Sequence, residues 1–485
     1  MTFVALVVTV VVAVVVGRAF ARHWAAERQQ VWSDRYGPDL AYALHAGKVA
    51  RIAQQLRAHR GRGRPVSLRK RAVAHQVPKP GDLRRGDDKI DISDLNAILA
   101  IDPVRKLCVA ESGVTFVDLV AATMRYGLVP IIVPELKTIT VGGAVSGCSI
   151  ESMSFREGGF HDTCVEYEVI TAGGEVLTCT ADNEHRLVFQ MMHGSFGTLG
   201  ILSRLTFRLI EAKPFVRLRH ERYHRLDDYL DAIWDHYQKQ DIDFMDGIVH
   251  SPTEYVLSAG RFVDRAPYTN RYDWTKVFWR STRERHEDFL HTADYFFRYD
   301  RGVTSVHPKS WLGRLVFGKF MGSAQVLRLA DRLSGLIFRG ELTGRKRPTI
   351  TLDVLIPFSK VPAFLAWYTP TFGHFPLWCV PYRRVRDYEW LSERFLQGTR
   401  DELFVDLAIY GMEQHGPHNY HRLMEEKLAE LGGVKTLIAH NYYGEDEFWE
   451  IWNRRNYERV KARTDPDNLF RDLYTKTCKT AMGRG

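Results

Sequence analysis

Asp406 and Tyr410 stand four apart in the alternating run Val405-Asp406-Leu407-Ala408-Ile409-Tyr410. Side chains on a strand repeat every second residue, so the carboxyl and the phenol share one face. Such a pair can hold and deliver a proton; the alternative is a phenol satisfied inside a core. His440 follows a second strand-like run, residues 436–439, and is either a further candidate acid or a satisfied structural histidine. Glu151 lies inside a glycine-rich stretch, where it either orders the loop and bonds groups of a binding site or is exposed on a turn. A structural metal is not expected, because the six cysteines are dispersed and none forms C-x-x-C.

These groups need a platform. Residues 127–134 read as a buried strand, followed by Thr140-Val141-Gly142-Gly143-Ala144-Val145-Ser146-Gly147-Cys148-Ser149-Ile150-Glu151-Ser152. Paired glycines let a backbone approach a diphosphate, since no Cβ intervenes and free N–H groups can point inward. A second turn falls at Gly158-Gly159 and a third at Gly194 to Gly200, with a hairpin pattern over 165–179 between them. Three glycine turns within ~60 residues build an extended cradle in which amides from several turns hold a cofactor. Neither G-x-G-x-x-G after a first strand nor G-x-x-x-x-G-K-[ST] is present, which disfavours a Rossmann site and a P-loop.

In combination, Pro134-Glu135-Leu136, Thr140-Val141-Gly142-Gly143, Gly147, Ile150-Glu151-Ser152, Gly158, Glu168 and Gly197-Thr198-Leu199-Gly200 resemble the FAD-binding domain of the vanillyl-alcohol-oxidase superfamily, the PCMH type. The likeness is strongest to the Δ24-sterol reductase (seladin/Diminuto) family. It extends through Asp353-Val354-Leu355-Ile356-Pro357, Leu377-Trp378-Cys379-Val380-Pro381 and residues 405–411 to a C-terminal Tyr-x-x-x-Lys…Asp-Pro-x-x-x-Phe at Tyr457, Lys461, Asp465, Pro466 and Phe470. The resemblance implies an α+β fold: a PCMH-type FAD-binding domain of two α+β subdomains plus an α/β substrate domain. The implied FAD-binding residues are Pro134, Glu135, Leu136, Thr140, Val141, Gly142, Gly143, Gly147, Ser149, Ile150, Glu151, Ser152, Gly158, Gly197, Thr198 and Gly200. It also implies that NADPH reduces the flavin, which then reduces a carbon–carbon double bond in a lipid, with a protein acid or water supplying the proton. Tyr410, His440 and Asp406 are the candidates for that chemistry. Covalent attachment through histidine is not expected, because residues 142–152 contain none and His75 and His161 are the nearest. The lipid is left open between a sterol side chain of Δ24 type and a methylene or alkene on an acyl or isoprenoid chain. Two other classes stand beside this reading: an FAD-dependent oxidase or dehydrogenase of an alcohol, and a non-catalytic membrane-bound flavin scaffold.

The 485 residues, 45% of them hydrophobic, suit two or three domains. The net charge of +9 favours anionic partners, and without zinc-finger or RNA-binding motifs nucleic acid is not among them. Residues 3–16 are almost uninterrupted Val, Ala and Leu, with Arg18, Arg22, Arg28 and Arg35 following. This predicts a single-pass anchor over 1–21 with the catalytic part facing the cytoplasm. The expected divisions are then a basic connector over 22–57, the flavin domain over 58–210, the substrate domain over 211–445 and a C-terminal segment over 446–485 that packs back on the flavin domain. Within the connector, residues 48–57 read as an amphipathic helix that lies on anionic lipid or is solvated. Residues 311–338 read as a membrane-facing lid or a pair of ordinary surface helices.

Overall fold

The computed structural model describes residues 23–73, 75–272, 276–302, 323–337 and 339–484. Two antiparallel sheets carry the fold. The smaller runs in the order Ile98–Asp102, Leu107–Glu111, Ile201–Glu211, Cys164–Ile170, Val176–Thr180, with Leu128–Pro130 added along the far end of Ile201–Glu211. The larger has eight strands: Glu287–His291, Phe215–Tyr223, Glu254–Val263, Phe244–Ser251, Leu377–Arg383, Leu403–Met412, Ile350–Pro357, Val434–Lys435. A short parallel pair, Val66–Arg69 with Asp88–Asp91, stands apart.

Alternation along Leu403–Met412 explains how the halves join. Leu403, Val405, Leu407 and Ile409 pack under the helices Leu226–Lys239, Val361–Phe372 and Tyr420–Leu431. Phe404, Ala408 and Tyr410 face the other way and share a core with Val141, Val145, Leu202 and Phe207 of the smaller-sheet half. Opposite faces of one strand therefore serve two cores. Asp406 falls on the second face, where apolar neighbours leave a carboxyl little solvation.

The helix expected over 48–57 runs from Pro38 to His59, its proline at the first helical position where a missing N–H costs nothing. Val49, Ile52, Ala53 and Leu56 pack on Ile90, Leu95, Ile170 and Ile201. Burying Val49, Ile52 and Leu56 contributes roughly 1.5–3 kcal/mol each. His45 on the same face contacts Glu111 Oε1 and Glu168 Oε1, each at 2.8 Å. The apolar face is thus used against the protein, not presented to lipid.

No helix among the described residues is long and apolar enough to cross a membrane. This corrects the expected architecture of a single membrane helix ahead of the flavin domain. The membrane partner and the anchored, cytoplasm-facing location drawn from it fall with it. The apolar run itself lies outside the described residues. Of the expected lid, residues 311–322 and 338 also lie outside them; the rest includes the helices Ser323–Arg332 and Ser334–Ile337, with Leu329, Leu333, Leu336 and Ile337 exposed.

The C-terminal segment is buckled to the third glycine turn. Lys461 Nζ donates to the Thr198 carbonyl at 2.9 Å, to the Phe470 carbonyl and to Asp465 Oδ2 at 2.7 Å. Asp465 in turn accepts from the amides of Leu469 and Phe470.

Candidate active site

A cavity of about 760 Å³ lies between the two halves. One wall comes from Thr140, Gly142, Gly143, Gly147, Ser149 and Ile150, with Pro134, Glu135, Leu136, Gly197 and Gly200 beside them. Val141, Glu151, Ser152, Gly158 and Thr198 are not among its lining residues. The stretch expected as a glycine turn begins as the short helix Val141–Ser146, because Thr140 Oγ1 caps it by accepting from the Gly143 amide at 3.2 Å. Gly142 is required by close approach: a Cβ there would meet Ser112 Cβ at 2.6 Å and its carbonyl oxygen at 2.9 Å. Gly197, at φ +70°, occupies the left-handed region that glycine adopts without strain.

The opposite wall is the larger sheet: Asp353, Leu355, Trp378, Asp406 and Tyr410, with Thr436 and Ile438. Register brings the polar groups together. Asp353 pairs with Ala408, so Asp406 and Tyr410 lie two residues to either side on the neighbouring strand. The Tyr410 hydroxyl donates to Asp353 Oδ1 at 2.7 Å. Burial pushes the Asp353 carboxyl up to about 6, against the hydrogen bonds from Tyr410 and Thr436. Burial, with the charge of Asp353 next, pushes Glu135 up to about 7. Asp406 is held well above the carboxylate range by burial and by the charges of Asp353 and Glu135, and its Oδ1 has no hydrogen-bond partner. Tyr410 is likewise held far above its ordinary value by burial and by Asp353. Three carboxyls and a phenol facing one cavity share protons as a set, not singly.

His440 is not among the lining residues. It is buried beside His421, ring centroids 5.3 Å apart, and burial together with the Lys79 and Lys435 charges keeps it neutral. Glu151 is neither exposed nor on the cavity surface: it meets Arg298 at 3.1 Å beneath the wall, while Ser152 Oγ accepts from Tyr295 at 3.0 Å.

At the mouth, Lys70, Arg71, Arg84, Arg85, Lys89 and Lys476 line the same cavity. Lys476 is pushed down to about 7 by burial and by the charges of Arg84, Lys70 and Lys461. Arg84 and Arg85 are paired with Asp82 and Asp331 of the same cavity, and the remaining cations, next to backbone stripped of side chains, fit an anionic ligand such as a diphosphate. His75 lines the cavity as well; burial holds it neutral, pushed down to about 4, and its Nε2 bonds Thr138 Oγ1 at 2.9 Å.

Asp353 and Arg298 escaped the reading of the sequence as site residues. Each had the signal that singled out Asp406, a charge inside an apolar run: Thr351-Leu352-Asp353-Val354-Leu355 and Tyr295-Phe296-Phe297-Arg298-Tyr299. Lys70 and Lys476 had none, being two basic residues among many, 406 positions apart.

Comparison with known proteins places an FAD-binding domain over most of the cradle. An FAD binding domain model matches residues 41–180, beginning within the helix that carries His45. The Delta(24)-sterol reductase of Homo sapiens is 25% identical over 481 residues, covering 91% of this chain and 91% of that protein. That of Arabidopsis thaliana is 24% identical over 499 residues, covering 93% and 87%. Cytokinin dehydrogenase 2 of Oryza sativa subsp. japonica is 29% identical over 185 residues, 36% of this chain and 32% of that protein. With the cradle, the cationic cluster and a likeness that runs through both halves, the chain carries a PCMH-type FAD-binding domain and is consistently similar to the Delta(24)-sterol reductases.

Proposed function

We propose that the protein reduces a carbon–carbon double bond in a lipid, holding FAD non-covalently and drawing electrons from NADPH. The carrying observation is the proton-holding set Glu135, Asp353, Asp406 and Tyr410 on the cavity wall. An isolated alkene is unpolarised, so its reduction depends on positioning and on a well-placed proton donor. When bound, FAD supplies two-electron chemistry, accepting hydride from one substrate and delivering it to another.

The chain's own groups do the rest. Gly142, Gly143 and Gly197 admit the cofactor close to backbone, and Lys70, Arg71 and Lys476 balance its phosphates. Leu355, Trp378 and Ile438 give the same cavity the apolar surface a lipid needs and keep water from the reacting carbons. Asp406, whose hold on its proton is strengthened by burial and by the charges of Asp353 and Glu135, is the donor. Tyr410 is fixed by its bond to Asp353, and Glu135, poised near neutrality, replaces the proton that Asp406 gives up. His440 has no part in this sequence. The names of the relatives support a sterol side chain as substrate; the apolar wall serves an acyl or isoprenoid alkene equally.

Anaerobic stopped-flow of the FAD-loaded protein tests the reading. NADPH is expected to bleach the flavin, and extracted lipid to restore its colour with a two-hydrogen mass gain in the lipid. Bleaching reversed by oxygen but by no alkene, or turnover with an alcohol, would refute it.

A further inference from the structure

We propose that Arg298 is the positioning residue of this site: one buried guanidinium fixes the Glu151 end of the flavin-cradle segment, orients the Trp378 wall through Asp246, and places a positive charge behind the carboxyls that face the cavity. The proposal rests on the proton-donor reading above and extends it to a residue outside the lining.

Arg298 is among the largest fully buried side chains. Its Nη2 lies 3.1 Å from Glu151 Oε1 and 3.1 Å from Asp246 Oδ2, and its Nη1 donates to the Tyr295 carbonyl at 3.1 Å. Tyr295, Tyr299 and Phe278 surround the guanidinium at 4.2, 4.8 and 5.2 Å from their ring centroids. Asp246 Oδ2 also accepts from the Trp378 indole at 3.0 Å and from the Tyr299 hydroxyl at 2.7 Å. A single charge thus ties residue 151, next to the cradle's Ile150, to residue 378 on the opposite wall. Buried charge is costly unless it is paired, and a purely structural link could be made by apolar side chains. An arginine ringed by aromatics and bridging both walls is accounted for by what its charge does.

The electrostatic part follows from what faces Glu135. Asp353 and Asp300 oppose its ionisation, Arg298 favours it, and Asp406 lies within the field of both Asp353 and Glu135. Arg298 is itself faced by Glu151, Asp246, Tyr295 and Tyr299, and His75 is held neutral. Removing the cation disfavours the carboxylate, so the cluster should keep its protons to higher pH.

Infrared titration of the protonated-carboxyl C=O stretch in FAD-loaded protein reads this without turnover, with Glu135→Gln assigning the band. Arg298→Gln should move the Glu135 transition alkaline by about one pH unit or more, with flavin still bound. Arg298→Lys keeps the charge but ends about one bond short of the Nη2 atom that meets both carboxylates, and it has no second nitrogen for the Tyr295 carbonyl. It should titrate as wild type, bind FAD as wild type and lose about 10-fold or more in kcat. An unmoved transition in Arg298→Gln would overturn the electrostatic role. Wild-type kcat in Arg298→Lys would overturn the positioning role, and that variant suffices if the glutamine form does not fold. A protein with no alkene reductase activity refutes the assigned reaction but leaves the infrared outcome to decide the electrostatic one.

Discussion

Replacing Asp406 by asparagine removes the proposed proton donor while changing almost nothing else. The side chain keeps its shape, and Oδ1 has no hydrogen-bond partner to lose. A positioned general acid contributes about 10²–10⁴ in rate. Because Glu135, near neutrality, still faces the cavity, the loss should sit at the lower end: about 10²–10³-fold in alkene reduction, or about 2.7–4 kcal/mol. The residual rate, carried by Glu135, should fall as pH rises through about 7. Stability should move the other way. Asp406 has a folded-state pKa above its unfolded value of about 3.9, so wild type loses stability as pH rises from about 4 toward that folded value. The asparagine variant lacks this loss and should gain on wild type as pH rises from about 4 toward that folded value. Single-turnover stopped-flow separates the steps: bleaching by NADPH unchanged, reoxidation by alkene slowed. Equal slowing of both steps, or a residual rate flat from pH 6 to 8, would refute the reasoning.

Three further outcomes follow. Hydrogen bonds and charges from Glu111 and Glu168 outweigh the burial that opposes a charge on His45, raising it above 6.5; its contribution is complete below about pH 6.5 and is lost as pH rises through the folded value. Denaturant melts should therefore show wild type losing stability across that window and His45→Asn losing less; parallel curves would contradict it. Lys461→Met leaves the buried Asp465 carboxylate without its cation, held only by the Leu469 and Phe470 amides, so chemical denaturation should report a loss of about 3 kcal/mol, the low end for a broken buried pair, together with released flavin because the buckle holds the Thr198 carbonyl. Acid precipitation should leave all flavin in the supernatant, and yellow protein in the pellet would place a covalent bond, with His75 on the cavity wall as the first residue to test.

What could be read in advance was local, and what could not was set by register. Gly142, Gly143 and Gly197 announce themselves through spacing, because a close backbone approach excludes a Cβ at one or two positions in a row. Asp406 and Tyr410 share a face by period-two geometry alone. The pairing of Asp353 with Ala408, which completes the proton-holding set, depends on which of eight strands neighbours which. Glu151 stood out as a carboxylate within the glycine-rich stretch, but its direction did not, since its partner lies 147 residues away. The basic helix near the N-terminus misled because apolar residues at helical spacing describe a buried face without naming what buries it. Here they meet the smaller-sheet half, with His45 between two glutamates.

The most direct test follows the two hydrogens added to the alkene. With NADPH deuterated at its transferable position in ordinary water, and then with ordinary NADPH in deuterated water, mass spectrometry of the reduced lipid should find one deuterium in each case. In Asp406→Asn the second should still be found, in product that forms about 10²–10³-fold more slowly. Both hydrogens from solvent, both from the nucleotide, or no reduced lipid would contradict the account.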